Sequence, residues 1–497
     1  MNSTGIKKRL PVTPAGVLAG LYLLGIVATA WSRLDLAWDS LAYHLPFAAI
    51  RAGIITYGDH IIPSPHRVFL EGFPPVLDFI KGMMWRVTGR VEATQLFNSF
   101  VVVGGSVVLA KLYGKRISLL ILAVLAIPVG QVEFAGNYTD LPVNFLLASA
   151  LFAVAHALAS PESHRLRHGM AAAAALCLAT TFKVTAIPFG IVIWTLYVFA
   201  AGFGRPANGG SELTQLRFRS MPRYLAFAFV GALAATGYGL VNLVVMHNPL
   251  WPVPIHLGPL SLPGVVPASN WNAAAYLAEV PRTLRWMVSV IEWHAFDLRP
   301  LPYIIAQGDV PDTAMSYRMG GLFSFQLMFT VAILFVARAG IGTSATFKVL
   351  GLHAIMALVV SMVPGSHEMR YFFFWYLSLL WSALHLLGKV DSQKQLATVF
   401  AASLAASALY VTMITGARYV YPFSDMPSAE DLAKAGIRAE VQRHLSSGQS
   451  SFCVMDKDPY GFLYSRPFHE GLSPGVRYQT SVDPASSACQ SSRTIGR

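Results

Sequence analysis

PAGVLAGLYLLGIVATAWSRLDLAWDSLAYHLPFAAIRAG, residues 14–53, decides how the rest of the chain is read. Residues 14–31 carry no charge. An apolar run of about 20 residues is what a helix needs to cross lipid, where the backbone finds no outside partner. Lys7, Lys8 and Arg9 precede it and place the N-terminus in the cytoplasm. The run outlasts the apolar core of a cleaved leader and no small-residue cleavage site follows, so it reads as a permanent helix. Just past its outer end stand Asp39, Tyr43 and His44. The polar chemistry begins where the membrane ends.

The other 457 positions obey the same logic. Of 497 residues, 54% are hydrophobic and 12% charged, against about a quarter charged in a soluble protein. That excludes an ordinary cytosolic enzyme and a disordered chain. Three Cys exclude a disulfide scaffold and a Cys-rich zinc module. Apolar segments fall at roughly 14–31, 94–110, 117–132, 141–159, 170–184, 187–202, 224–246, 320–337, 349–364, 371–388 and 395–415, which predicts about 11 transmembrane helices. The stretch 170–201 is long for one crossing and short for two. Two crossings keep Arg205, Arg217, Arg219 and Arg223 inside, and the charges then separate. Inner segments hold 16 Lys+Arg against 3 Asp+Glu, outer segments 21 against 22. The net charge of +12 is therefore topology and implies no nucleic-acid partner.

The expected fold is mainly α: a polytopic membrane domain over 1–415 and a small outer α/β domain over 416–497. The inner face has only short loops, so chemistry belongs to the outer pieces 32–93, 133–140, 247–318 and the tail. In the first loop, Ser40–Gly53 is amphipathic and reads as a helix on the membrane surface with Ser40 as cap. A second such helix follows Pro74 and Pro75, with Asp78 and Lys81 spaced to pair. Asp59, His60, His66, Arg67 and Glu71 lie between the two. In the tail, 428–446 reads as a helix, and SFCVMD and GFLYSRPF as short strands. Cys453 and Cys489 share the oxidising side, where a bridge is permitted.

Four side chains carry the functional reading, each with a plainer alternative. Asp39 is a general base or only a helix cap. Asp140, before Leu141 and Pro142, is an N-cap or a substrate contact. Lys183 sits at the outer turn of the double crossing, where a cation either meets an anionic phosphate or snorkels to the headgroups. Arg370 either meets the same phosphate or pairs within its own cluster with His367 and Glu368. Glu292, His294 and Asp297 match no strong metal spacing and read as a solvated loop.

The motifs WDSLAYHLP (38–46), NYTDLP (137–142), HNPLWP (247–252) and HEMRYFFFWYL (367–377) resemble those of the GT-C glycosyltransferases, nearest the protein mannosyltransferase and aminoarabinose transferase branch. The resemblance implies a sugar moved from a polyprenyl-phosphate carrier to a glycan, lipid or protein acceptor at the outer face of the plasma (inner) membrane. It implies Asp39 as base, Lys183 and Arg370 on the donor phosphate, and Tyr43, His44, Arg67, Glu71, Asp140, His367 and Glu368 on substrate. Where that branch often has an acidic pair in the first motif, only Asp39 holds the position here. No cofactor is required, and a divalent metal is permitted but unsupported. The rival readings are a secondary transporter or flippase of a lipid-linked or anionic solute, and an O-antigen ligase or polymerase. Convergence of Asp39, Lys183 and Arg370 on one site is what separates the leading reading from them.

Overall fold

In this computed structural model the described residues are 13–37, 39–56, 64–159, 165–203, 225–265, 279–291, 321–363, 365–366, 368–388, 393–414, 437–447, 451–454, 462–463, 465–468, 477–480 and 494–495. Helices α1 (Pro14–Ser32), α2 (Leu45–Arg51), α3 (Ser64–Gly72), α4 (Pro75–Thr88) and α5 (Leu96–Tyr113) come first. They are followed by α6 (Ile117–Leu125), α7 (Pro128–Phe134), α8 (Asp140–Ala159), α9 (Arg165–Phe182) and α10 (Ile187–Phe203). Next come α11 (Leu225–Thr236) and α12 (Gly239–Met246). A hairpin of β1 (Ile255–Leu257) and β2 (Leu260–Leu262) leads to α13 (Arg282–Ile291), α14 (Gly321–Ile341), α15 (Thr343–Met362), α16 (Phe374–Leu387) and α17 (Lys394–Ile414). The tail holds α18 (Arg438–Ser446), β3 (Ser451–Val454), β4 (Arg477–Thr480) and β5 (Thr494–Ile495).

Every expected apolar segment is helical, but their reach differs. Among the described residues six helices are long and apolar enough to cross a membrane, and each bent pair counted as one span makes eight. The pairs are α6–α7, bent by 104°, and α11–α12, bent by 69°. Pro128 causes the first bend: it opens α7 and cannot continue α6. The expected straight crossing 117–132 is thus a broken one, and it turns residues 133–140 back into the protein. At the centre lies α16, all 14 of its residues buried, against α8. At 1.5 Å per residue α16 is about 21 Å long, too short to span lipid alone. Asn144 staples the two: its amide donates to the Arg370 carbonyl (2.7 Å) and its oxygen accepts from the Phe374 N–H (2.9 Å).

The first loop departs from expectation. It holds three helices rather than two, since α3 forms where a polar connection was read. Nor does the segment after Asp39 float on a surface. It begins as a π-helical turn, Ser40–His44, and runs into α2, with Leu41, Leu45, Pro46, Phe47, Ala48 and Ala49 all buried. The reason is α4, which packs so closely that a Cβ at Gly82 would overlap the Ala48 carbonyl. Ser40 caps nothing; its hydroxyl donates to Asp35 at 2.5 Å. Asp78 does not pair with Lys81 but takes Arg51 at 2.5 Å. The second helix does begin where expected, with Pro75 in the first turn of α4, and Gly89 at φ +69° closes it.

In the tail, β3 is central and parallel to both β4 and β5. The helix of 428–446 is described from Arg438, and SFCV is a strand. GFLYSRPF is not one: its described residues form tight helical turns, including Arg466–Phe468. Asp59, His60, Glu292, His294, Asp297, His367 and Cys489, and the side chains of His66 and Cys453, lie outside the described residues, so the expected bridge does too.

Candidate active site

The chain leaves α1 as an extended strand, because Arg33 has β-region angles (φ −129°, ψ 139°). Asp35 anchors this strand by accepting from the N–H groups of Ala37 (3.0 Å) and Asn137 (2.8 Å). Asp39 follows at the head of the π-turn with φ −60° and ψ −34°, already helical, and its side chain makes no capping bond. The cap alternative therefore fails on geometry. Its carboxylate instead takes the Arg370 guanidinium at 2.8 Å and a bond from the Tyr43 hydroxyl.

Arg370 lies on the short turn Met369–Tyr371 that leads into α16. Its Nε donates to Glu368 at 3.2 Å and a terminal nitrogen to the Tyr371 hydroxyl at 2.6 Å. Lys183 connects α9 to the turn before α10 and forms an ion pair with Asp140, the first residue of α8. Its ammonium lies 4.6 Å from the Tyr371 ring centre, and Arg370 lies 4.7 Å from the same ring. Two cations, each paired with a carboxylate, thus lie against one aromatic ring. Asp39 and Arg370 are 7% and 8% exposed. Breaking such pairs costs more than forming them gains, because a lone buried charge is left behind.

Burial raises the pKa of Asp39, but Arg370, His44 and Lys183 together outweigh it and hold the carboxyl below its usual range. Glu368 moves the other way: burial dominates over Arg370 and pushes it up. His44 is held below its usual value by burial, against the pull of Asp78, whose nearer oxygen is 3.8 Å away. Opposite shifts on two acids around one guanidinium are a mark of functional chemistry.

Asp39, Tyr43, His44, Asp140, Lys183, Glu368 and Arg370 therefore come together. Arg67 and Glu71 do not join them. They pair with each other at 3.0 Å on an exposed face of α3, a solvated pair worth less than about 1 kcal/mol. Residues to which the sequence pattern gives no place in the cluster also complete it, among them Lys81, which spacing pairs with Asp78 instead. Lys81, fully buried, donates to the Asn137 carbonyl at 2.5 Å, and Asn98 donates to the carbonyls of Glu133, Gly136 and Tyr138. The Asn137 side-chain amide and the Tyr138 hydroxyl are buried with no hydrogen-bond partner. The signal for the last two lies in NYTDLP itself, which carries both just before Asp140. HNPLWP forms a turn held by Asn248, which donates to the Val253 and Pro263 carbonyls at 2.8 and 2.6 Å. Among the described residues no three side chains of His, Cys, Asp or Glu are grouped to hold a metal.

Fold and cluster together define a polytopic helical membrane protein whose charged residues gather at the loop ends of α1, α8, α9 and α16. No family model and no curated protein matches the sequence. Among solved structures the chain is similar to ArnT from Cupriavidus metallidurans, an aminoarabinose transferase of the GT-C fold. With its crystal structure bound to undecaprenyl phosphate the TM-score is 0.51 at 13% identity, over 92% of this chain and 86% of that one. With its apo-state crystal structure the TM-score is 0.40 at 14% identity, over 90% and 83%. The fold is thus the one the four motifs implied.

Proposed function

We propose that this chain is a membrane glycosyltransferase that moves a sugar from a polyprenyl-phosphate carrier to an acceptor hydroxyl at the outer face of the membrane, with inversion. The observation that carries this is the convergence of three motifs, far apart in sequence, on one buried cluster of two acid–cation pairs about Tyr371. The similar ArnT structure holds undecaprenyl phosphate, which supports a carrier of that chemistry.

The acceptor oxygen attacks the anomeric carbon from the side opposite the phosphate. The bond from that carbon to the phosphate oxygen breaks, and the phosphate departs with the electron pair. Asp39 accepts the hydroxyl proton; its low affinity for protons keeps it ionised and ready. Arg370 holds the carboxylate in place. Lys183 and Arg370 retain N–H donors beyond those used by Asp140, Asp39, Glu368 and Tyr371, and these stabilise the developing phosphate charge. A transporter would instead place its polar residues at mid-membrane; here both acid–cation pairs stand at the loop ends of α1, α8, α9 and α16.

Mass spectrometry of lipid carriers and envelope glycans from a strain lacking the protein names the sugar and acceptor. With that pair, purified Asp39→Asn should keep donor binding and lose turnover by about a hundredfold or more. Near-normal turnover would remove Asp39 as the base. The upward shift of Glu368 favours a second reading, in which that residue takes the proton; Glu368→Gln would then be the inactive variant and Asp39→Asn the active one.

A further inference from the structure

The catalytic segment is gripped from outside the membrane domain. Leu34 and Leu36 before Asp39, and Leu41 and Leu45 after it, all belong to one apolar cluster. The cluster is completed by Trp85 on α4 and by four residues of the tail: Phe462, Leu463, Phe468 and Ile437. Phe462 and Leu463 are 2% and 3% exposed. Phe462 meets the Trp85 ring edge-on at 6.5 Å, and Phe468 meets it at 6.0 Å. The two phenyl rings stand 5.5 Å apart at 87° to each other.

The tail presents this pair on a turn that holds itself. Ser465, fully buried, donates to the Phe462 carbonyl through both N–H (3.0 Å) and hydroxyl (2.6 Å), and its own carbonyl accepts from the Phe468 N–H (3.1 Å). The Ser40–His44 turn that shares this cluster through Leu41 is a π-turn, a rare form seen mostly as a single turn at functional sites. The opposite side of the segment is secured by Tyr43, packed with Phe47, Phe69 and Phe73. Asp39 itself adds no cap.

We propose that Phe462, with Leu463 and Phe468, is a positioning element: the tail plugs the outer side of the Leu34–Leu45 segment and so keeps Asp39 seated on Arg370. The proposal rests on Asp39 being the base, and the tail is then part of the catalytic unit rather than a separate outer module. The plug acts on geometry, so it should govern turnover more than donor capture.

The test uses full-length protein carrying Phe462→Ala with Phe468→Ala, beside the milder Phe462→Leu. Hydrogen exchange over 40–51 should quicken while α8 stays protected, kcat should fall at least tenfold, and the donor KM should change less than threefold. Phe462→Leu, which restores most of the lost apolar volume, should recover most of kcat. Unchanged exchange over 40–51 would overturn the proposal. So would faster exchange with kcat within twofold of the parent, or equal losses in kcat and donor affinity. Faster exchange over 40–51 in the double variant, with a parent that transfers no sugar, would overturn the transferase reading and leave only the packing role of the tail.

Discussion

Lys81 shows how much a single buried charge says about this site. Its ammonium is 1% exposed and bonds the Asn137 carbonyl. Burial pulls its pKa from 10.5 to about 8, against the opposing pull of Asp78, Asp35 and Asp140. Below about pH 8 both the native and the unfolded chain hold that proton, and the full cost of burial is present. Between about 8 and 10.5 the unfolded chain holds more protons than the native one, so stability rises with pH. The range is of order 3 kcal/mol. The thermal midpoint of the parent should therefore climb relative to Lys81→Met as pH is raised through that window. A difference independent of pH would mean the ammonium is solvated. Asp39 obeys the same sign at lower pH: its lowered pKa stabilises the fold above the ordinary carboxylate range, and that stabilisation is lost as pH falls through the native value.

At the scale of elements, the close approach of α2 and α4 sets where the first loop's acid points. Gly82 makes it feasible, because a Cβ there would meet the Ala48 carbonyl and lie 2.6 Å from the Ala52 Cβ. A backbone carbonyl cannot turn aside as a side chain can. Gly82→Ala should thus push α2 off α4, with an overpacking cost of about 1–3 kcal/mol and a fall in turnover. Gly104→Ala is the control, since its Cβ would meet nothing within 4 Å and Ala is the better helix former. Equal thermal midpoints for the two variants would show that the helices can part without cost. A second device is Asn98, whose amide gathers the carbonyls of Glu133, Gly136 and Tyr138. It satisfies the chain where the bend at Pro128 has stripped it of helical partners.

For the whole molecule the governing quantity is the side of the membrane on which the cluster lies. The charge asymmetry predicts Lys111, Lys115 and Arg116 inside, and the tail outside with the first loop. Phe462 and Phe468 meet Trp85 of the first loop and share one apolar cluster with Leu41, which requires tail and loop to stand on one side. Alkaline phosphatase, which folds only in an oxidising compartment, should be active when joined after residue 497 and inactive when joined after residue 115. The reverse pattern would turn the protein over and put the chemistry in the cytoplasm.

How much of this was legible in the sequence follows from the range of the interactions. Hydropathy and charge act along the chain, so the apolar segments and the helix opened by Pro75 are readable from local pattern. The helix lengths and breaks were less so, because the 104° bend after Leu125 depends on what α7 packs against as well as on Pro128. The choice of charge partners was not readable at all. Asp39 and Arg370 are 331 residues apart and Asp140 and Lys183 are 43 apart, while Asp78 passes over the neighbouring Lys81 for Arg51. The sequence by itself determined a helical membrane protein and named most of the charges of its site. Only the tertiary structure decided which charges meet, because a buried charge must find its partner in space, whatever its distance along the chain.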